Sequence, residues 1–105
     1  MAKVEVNPGV CGMVCKVEIS KKDRMNLEVK LDSKCEMVNK LGELIGEVNL
    51  REALRPHGAN IVYDKAAGTI GHVTCPIPMA ILKAIEVEAG MALPRPVTLS
   101  FETDR

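Results

Sequence analysis

Two neighbouring stretches of alternating apolar and polar residues constrain this chain more than any other feature. Over residues 10–19, Cys11, Met13, Cys15, Val17 and Ile19 fall on one face, with Lys16 and Glu18 on the other. Residues 25–31 repeat the pattern: Met25, Leu27, Val29 and Leu31 against Asn26, Glu28 and Lys30. A period of two is that of a half-buried strand. The polar Ser20-Lys21-Lys22-Asp23 between them has turn composition, so the two stretches predict an antiparallel hairpin. Its apolar face needs a cover, and the rest of the chain has to supply it.

Helical periodicity begins directly after the hairpin. Ser33 and Glu36 have the spacing of a capping box. Met37, Val38, Leu41, Leu44 and Ile45 then recur at helical intervals, which predicts a helix over 34–45 ended by Gly46. Asn49 is placed to cap a short helix through Leu54, stopped by Pro56. Asn60 is placed to cap another through Ala67, with 69–74 a loop or short strand. A second main helix is predicted from Cys75, with Pro76 in its first position, to residue 88 or 89, where Gly90 follows. After Pro94 and Pro96, the alternating residues 97–102 read as a final strand. The expected fold class is α+β. It is a two-layer sandwich, the hairpin and C-terminal strand forming one small sheet with two main helices packed on one face. The 105 residues suit a single domain, 1–105.

Composition narrows the function classes. Fourteen basic and fourteen acidic residues cancel, so there is no dominant field for nucleic acid or an anionic membrane. Tyr63 and Phe101 are the only aromatics, too few for a base-stacking platform. No apolar run approaches the roughly 20 residues of a membrane span. The N-terminal residues lack the apolar core of a signal peptide. The expectation is a cytoplasmic protein that binds neither nucleic acid nor membrane.

In that compartment thiols stay reduced, and cysteines point to metal, redox or sulfur chemistry or to plain core packing. There are four: Cys11, Cys15, Cys35 and Cys75. Cys35 and Cys75 open the two predicted main helices, where the dipole and free N–H groups favour a thiolate. In one strand, Cys11 and Cys15 would lie about 13 Å apart. A disulfide needs Cα atoms within about 7 Å, so these two cannot pair or share one metal. The predicted hairpin instead sets Cys11 opposite Ser33 and near Cys35. Cys75 joins them if the second helix runs parallel to the first, and Cys15 lies deeper, as core. His72, three residues before Cys75, can reach the same place. Cys11, Cys35, Cys75 and His72 would be a zinc set, and the three thiolates could hold an iron–sulfur cluster.

The run Cys75-Pro76-Ile77-Pro78, followed by an apolar helix with Lys83, is similar to the Cys-Pro-x-Pro motif of the SirA/TusA-type sulfur carriers. The resemblance implies a persulfide carried on Cys75 within a small two-layer α/β fold, supplied and unloaded by a partner protein. A longer stretch, residues 75–90 with Leu93-Pro94 after it and Asp32-Ser33-Lys34-Cys35 before it, resembles another group. These are small uncharacterised cysteine-containing proteins of anaerobic bacteria and archaea, and that likeness implies no activity. Three readings follow: a metal or cluster protein, a thiol or persulfide carrier acting through Cys75, and an interaction domain with core cysteines.

Other candidates carry less. Glu88 falls on the apolar face of its helix, where a carboxylate can act as a base, pair with a neighbour such as Arg55 or Arg95, or reach solvent near the helix end. It lies about 20 Å along the helix from Cys75 and cannot serve that thiol. His57, between Pro56 and Gly58, has the setting of an exposed turn. No glycine-rich loop precedes a helix, which argues against a phosphate cradle. Cys75 and His72 lack the orienting group and oxyanion loop of a Cys–His hydrolase.

Overall fold

The computed structural model describes residues 1–103; the expected span of 1–105 ends two residues outside it. Four strands, β1 (Ala2–Val6), β2 (Cys15–Lys21), β3 (Asn26–Ser33) and β4 (Glu47–Asn49), form one sheet in the order β1-β2-β3-β4. All neighbours are antiparallel. Four helices complete it among the described residues: α1 (Glu36–Ile45), α2 (Leu50–Ala53), α3 (Ile61–Ala67) and α4 (Ile77–Glu88). The α+β class and the helical layer over a small sheet match the expectation.

The hairpin forms as its alternation dictates, from Lys21 opposite Leu27 to Cys15 opposite Ser33. Cys15, Val17 and Ile19 are fully buried, as are Leu27 and Val29 nearly so, while Lys16 and Lys30 face solvent. Asp23 shapes the turn: its carboxylate accepts from the Met25 and Asn26 N–H groups at 2.9 and 3.0 Å and from the Asn26 side chain. The Asn26 amide and these backbone donors hold Asp23 below the usual carboxylate range.

Two strand expectations are corrected. The first hairpin strand, β2, starts at Cys15, not at Val10. Gly9 and Gly12 adopt φ of 90° and 67°, and the Gly12 N–H closes a turn onto the Gly9 carbonyl at 2.9 Å. Left-handed glycines of this kind reverse a chain rather than extend it. The reversal brings residues 2–6 back as β1, with Ala2 opposite Ile19 and Val6 opposite Cys15. The alternation of Cys11 and Met13 thus belongs to an exposed loop. The second correction concerns residues 97–102, which form no strand in this sheet. β1 takes the free side of β2 and β4 takes that of β3, and Val97, Leu99 and Phe101 are left 54 %, 83 % and 87 % exposed.

The helices pack on one face, α1 over β3 and α4 over β2 and β1. α1 starts where β3 ends and returns to its middle, where the Gly46 carbonyl accepts from the Val29 N–H at 2.8 Å. A Cβ on Gly42 would stand 3.1 Å from the Leu31 Cβ, so the missing side chain is what lets α1 approach β3 this closely. α4 ends beside Lys21, whose N–H donates to Glu88 at 3.1 Å. Both helices therefore run the same way, with their N-termini at the Cys15 end of the sheet. Ile19, Leu41, Ile77, Ile81 and Ile85 fill the space between the layers.

The helix starts differ in detail from the sequence pattern. Ser33 does not cap α1 through a box with Glu36: Cys35 is the N-cap residue and makes no side-chain capping bond. α4 begins at Ile77 with Pro76 as its N-cap, so Cys75 lies just outside it. Asn49 and Asn60 cap α2 and α3 as expected. No helix among the described residues is long and apolar enough to cross a membrane.

Candidate functional site

Three thiols converge at the end of the sheet where both main helices begin. Cys15 opens β2 and lies opposite Ser33, the last residue of β3. Ser33 holds the chain as it leaves the sheet, its Oγ accepting from the Cys35 N–H at 3.1 Å. Asn39 clamps the same corner from inside α1. Its Nδ2 donates to the Ser33 carbonyl at 2.7 Å and its Oδ1 accepts from the Ser33 N–H at 3.0 Å. Cys35 is thereby fixed at the mouth of α1, half-buried. Cys75 is fixed at the mouth of α4 by a turn, its N–H donating to the His72 carbonyl at 3.1 Å, with Pro76 directly after it. Cys35 and Cys75 both pack against the core cluster that contains Cys15.

The three differ in exposure. Cys15 is completely buried, with its thiol donating to the Lys16 carbonyl at 3.6 Å. Burial pushes this thiol up from the ordinary 9.0 to about 11. An Asp32 backbone hydrogen bond opposes the shift, and the negative charges of Asp32, Cys75 and Cys35 add to it. Both other sulfurs are near enough to act on Cys15. At neutral pH Cys15 is a neutral, sealed thiol, while Cys35 and Cys75 reach the surface.

This state of Cys15 has a consequence for stability. The folded pKa exceeds the unfolded one, so the folded protein keeps a proton that the unfolded chain releases between pH 9 and 11. Stability is unaffected below that window and falls as pH rises through it. The slope is about 1.4 kcal/mol per pH unit, roughly 2–3 kcal/mol in all. Urea denaturation on both sides of the window should show this loss in the wild type. Cys15→Ala should lack this component, and parallel profiles for the two proteins would refute it.

The site gathered in space is not the one expected from the sequence. Cys11 stands on the exposed loop before β2, while Cys15 is buried in the core as expected and lies opposite Ser33. The difference is the hairpin register: Lys21 lies opposite Leu27, so the turn centres on Arg24 and Cys15 rather than Cys11 meets Ser33. His72 is exposed. Among the described residues, no three His, Cys, Asp or Glu side chains are grouped so as to hold a metal ion, so Cys11, Cys35, Cys75 and His72 are not preassembled as ligands.

Glu88 works structurally at the opposite end. Burial raises its pKa, but the Lys21 N–H and the N-terminal ammonium, 3.2 Å away, together outweigh burial and hold the carboxyl low. Its partner is thus the N-terminus, not Arg55 or Arg95. His57 lies on an exposed turn and tilts against Tyr63, ring centroids 4.9 Å apart. With Arg55, Leu82 and Glu86 these rings line an open cleft of about 260 Å3 that periodicity alone does not reveal.

No curated protein and no solved structure matches this chain. A family model matches residues 2–101, from the first residue of β1 to Phe101 in the C-terminal segment. The match takes in both hairpin strands, the two helix mouths and all four cysteines, and by it the chain belongs to the family of unknown function DUF6951.

Proposed function

We propose that this protein is a thiol carrier that accepts sulfane sulfur on Cys75, with Cys35 as the second exchanging thiol. The observation that carries this reading is the placement of two half-buried thiols, each at the entry to a main helix, against one core around the sealed Cys15. Accessible thiols beside a helix N-terminus are the usual setting for sulfur nucleophiles. The transfer balances without an added oxidant. The Cys75 thiolate attacks the outer sulfur of a donor persulfide, a new S–S bond forms, the donor S–S bond breaks, and the electron pair leaves on the donor thiolate. Cys75 then bears the persulfide, and a partner thiolate removes the outer sulfur by the same step in reverse. Cys35 attacking the inner sulfur of the loaded Cys75 would release hydrosulfide and leave a disulfide.

Reduced protein incubated with glutathione persulfide and then digested should carry one additional sulfur on the Cys75 peptide, by mass. Cys75→Ser should carry none there. Sulfur on Cys11 alone, or on no cysteine, would overturn the proposal. Stoichiometric zinc, or iron with acid-labile sulfide, in protein purified without oxygen would replace it with the reading in which the cysteines are ligands.

A further inference from the structure

We infer that the C-terminal segment, residues 97–102, is a strand that pairs with the β1 edge of a second copy of this chain. Three features of the molecule meet in this. First, the segment alternates as a half-buried strand does, with Val97, Leu99 and Phe101 against Thr98, Ser100 and Glu102. In the single chain those three apolar residues are 54 %, 83 % and 87 % exposed. Large apolar side chains in strand register with no cover are a surface awaiting a partner.

Second, the sheet has an open edge of the matching kind. β1 is outermost, and its outer side pairs with nothing among the described residues. An unpaired edge offers a row of N–H and C=O groups to another strand. On the helical side of the sheet, β1 presents Ala2, Val4 and Val6, with Val4 and Val6 only half-buried. An added strand in register would set Phe101 opposite Ala2, Leu99 opposite Val4 and Val97 opposite Val6. The largest side chain then meets the smallest. Above that edge lies the flank of α4 that bears Ala80, Lys83 and Val87, since Leu82 and Glu86 face the cleft toward α2 and α3.

Third, the connection favours exchange between copies. α4 ends beside Met1, at the start of β1, through the ion pair of Glu88 with the N-terminus. Turning straight back from there, the segment would run parallel to its own β1, the less stable pairing. A segment from a second copy meets β1 antiparallel. Reciprocal exchange closes a two-fold dimer.

Sedimentation velocity of the full chain over a concentration series, with hydrogen–deuterium exchange at each concentration, tests the inference. The expected result is a monomer–dimer equilibrium in which amides 97–102 gain protection as dimer forms. In the doubly substituted Leu99→Asp, Phe101→Asp chain, the dissociation constant should rise about ten-fold or more. Its thermal midpoint at low concentration should be unchanged, since both side chains lie outside the core. A monomer with unprotected amides at every concentration would overturn the inference. So would a monomer with protected amides, which would place the segment on its own chain, and so would a dimer that survives both substitutions.

Discussion

Unfolding the protein in urea will speed alkylation of Cys15 by about 100-fold or more, and will leave the rate at Cys11 nearly unchanged. The thiolate is the species that reacts. A thiol pushed up from 9.0 to about 11 has a neutral-pH thiolate fraction about 100-fold smaller than one at the ordinary value. Complete burial of the sulfur adds a steric barrier, so this factor is a lower bound. Cys11 is exposed in the folded state and has no steric barrier to lose. Cys35 and Cys75, half-exposed, should be labelled in the native protein. Quenched alkylation followed by peptide mass analysis reads all four sites in one experiment. Rapid native labelling of Cys15 would show that the sheet end opens readily, and would remove the contrast between one sealed thiol and two accessible ones.

That contrast shows which parts of this molecule could be read from residues alone. Features set by neighbouring residues were legible. Asn49 and Asn60 announce helix starts because their short side chains can satisfy free N–H groups two or three residues on, and they do so. The β2–β3 hairpin is legible because both strands alternate on either side of a polar turn. The gathering of Cys35 and Cys75 at one end of the sheet was conditional on a parallel run of α1 and α4, which the structure supplies. What depended on partners distant in sequence was not legible. Ala2, Val4 and Val6 alternate as cleanly as any strand, but their pairing rests on a reversal at Gly9 and Gly12 that the run from Cys11 to Ile19 conceals. A four-residue shift in hairpin register, with the turn centred on Arg24, sets Cys15 rather than Cys11 opposite Ser33. Residues 97–102 carry the same period of two, and a period says nothing about which edge a strand joins. The partner of Glu88 is a chain terminus, which no side-chain pattern marks.

Asn60→Ala should cost about 3 kcal/mol of folding stability, the largest effect expected of any single polar substitution here. Asn60 is the one buried polar side chain among the described residues, 3 % exposed, and every bond it makes is to backbone. Its Oδ1 accepts from the Val62 and Tyr63 N–H groups at 3.0 and 3.3 Å, capping α3. Its Nδ2 donates to the Ala53 and Arg55 carbonyls at 2.9 and 2.8 Å, holding the end of α2. Alanine removes the cap, worth about 1 kcal/mol, and strands carbonyls in a region with little water, at about 1 kcal/mol or more each. Asn60→Asp separates the two halves of the role. It keeps the acceptor for α3, but turns a carboxylate oxygen toward the Ala53 and Arg55 carbonyls. Its loss should lie near that of alanine, because repulsion there offsets the retained cap. Urea denaturation of the three proteins decides the matter. A loss below about 1 kcal/mol for Asn60→Ala would mean that water replaces the amide, and that α2 and α3 are not tied together through this side chain.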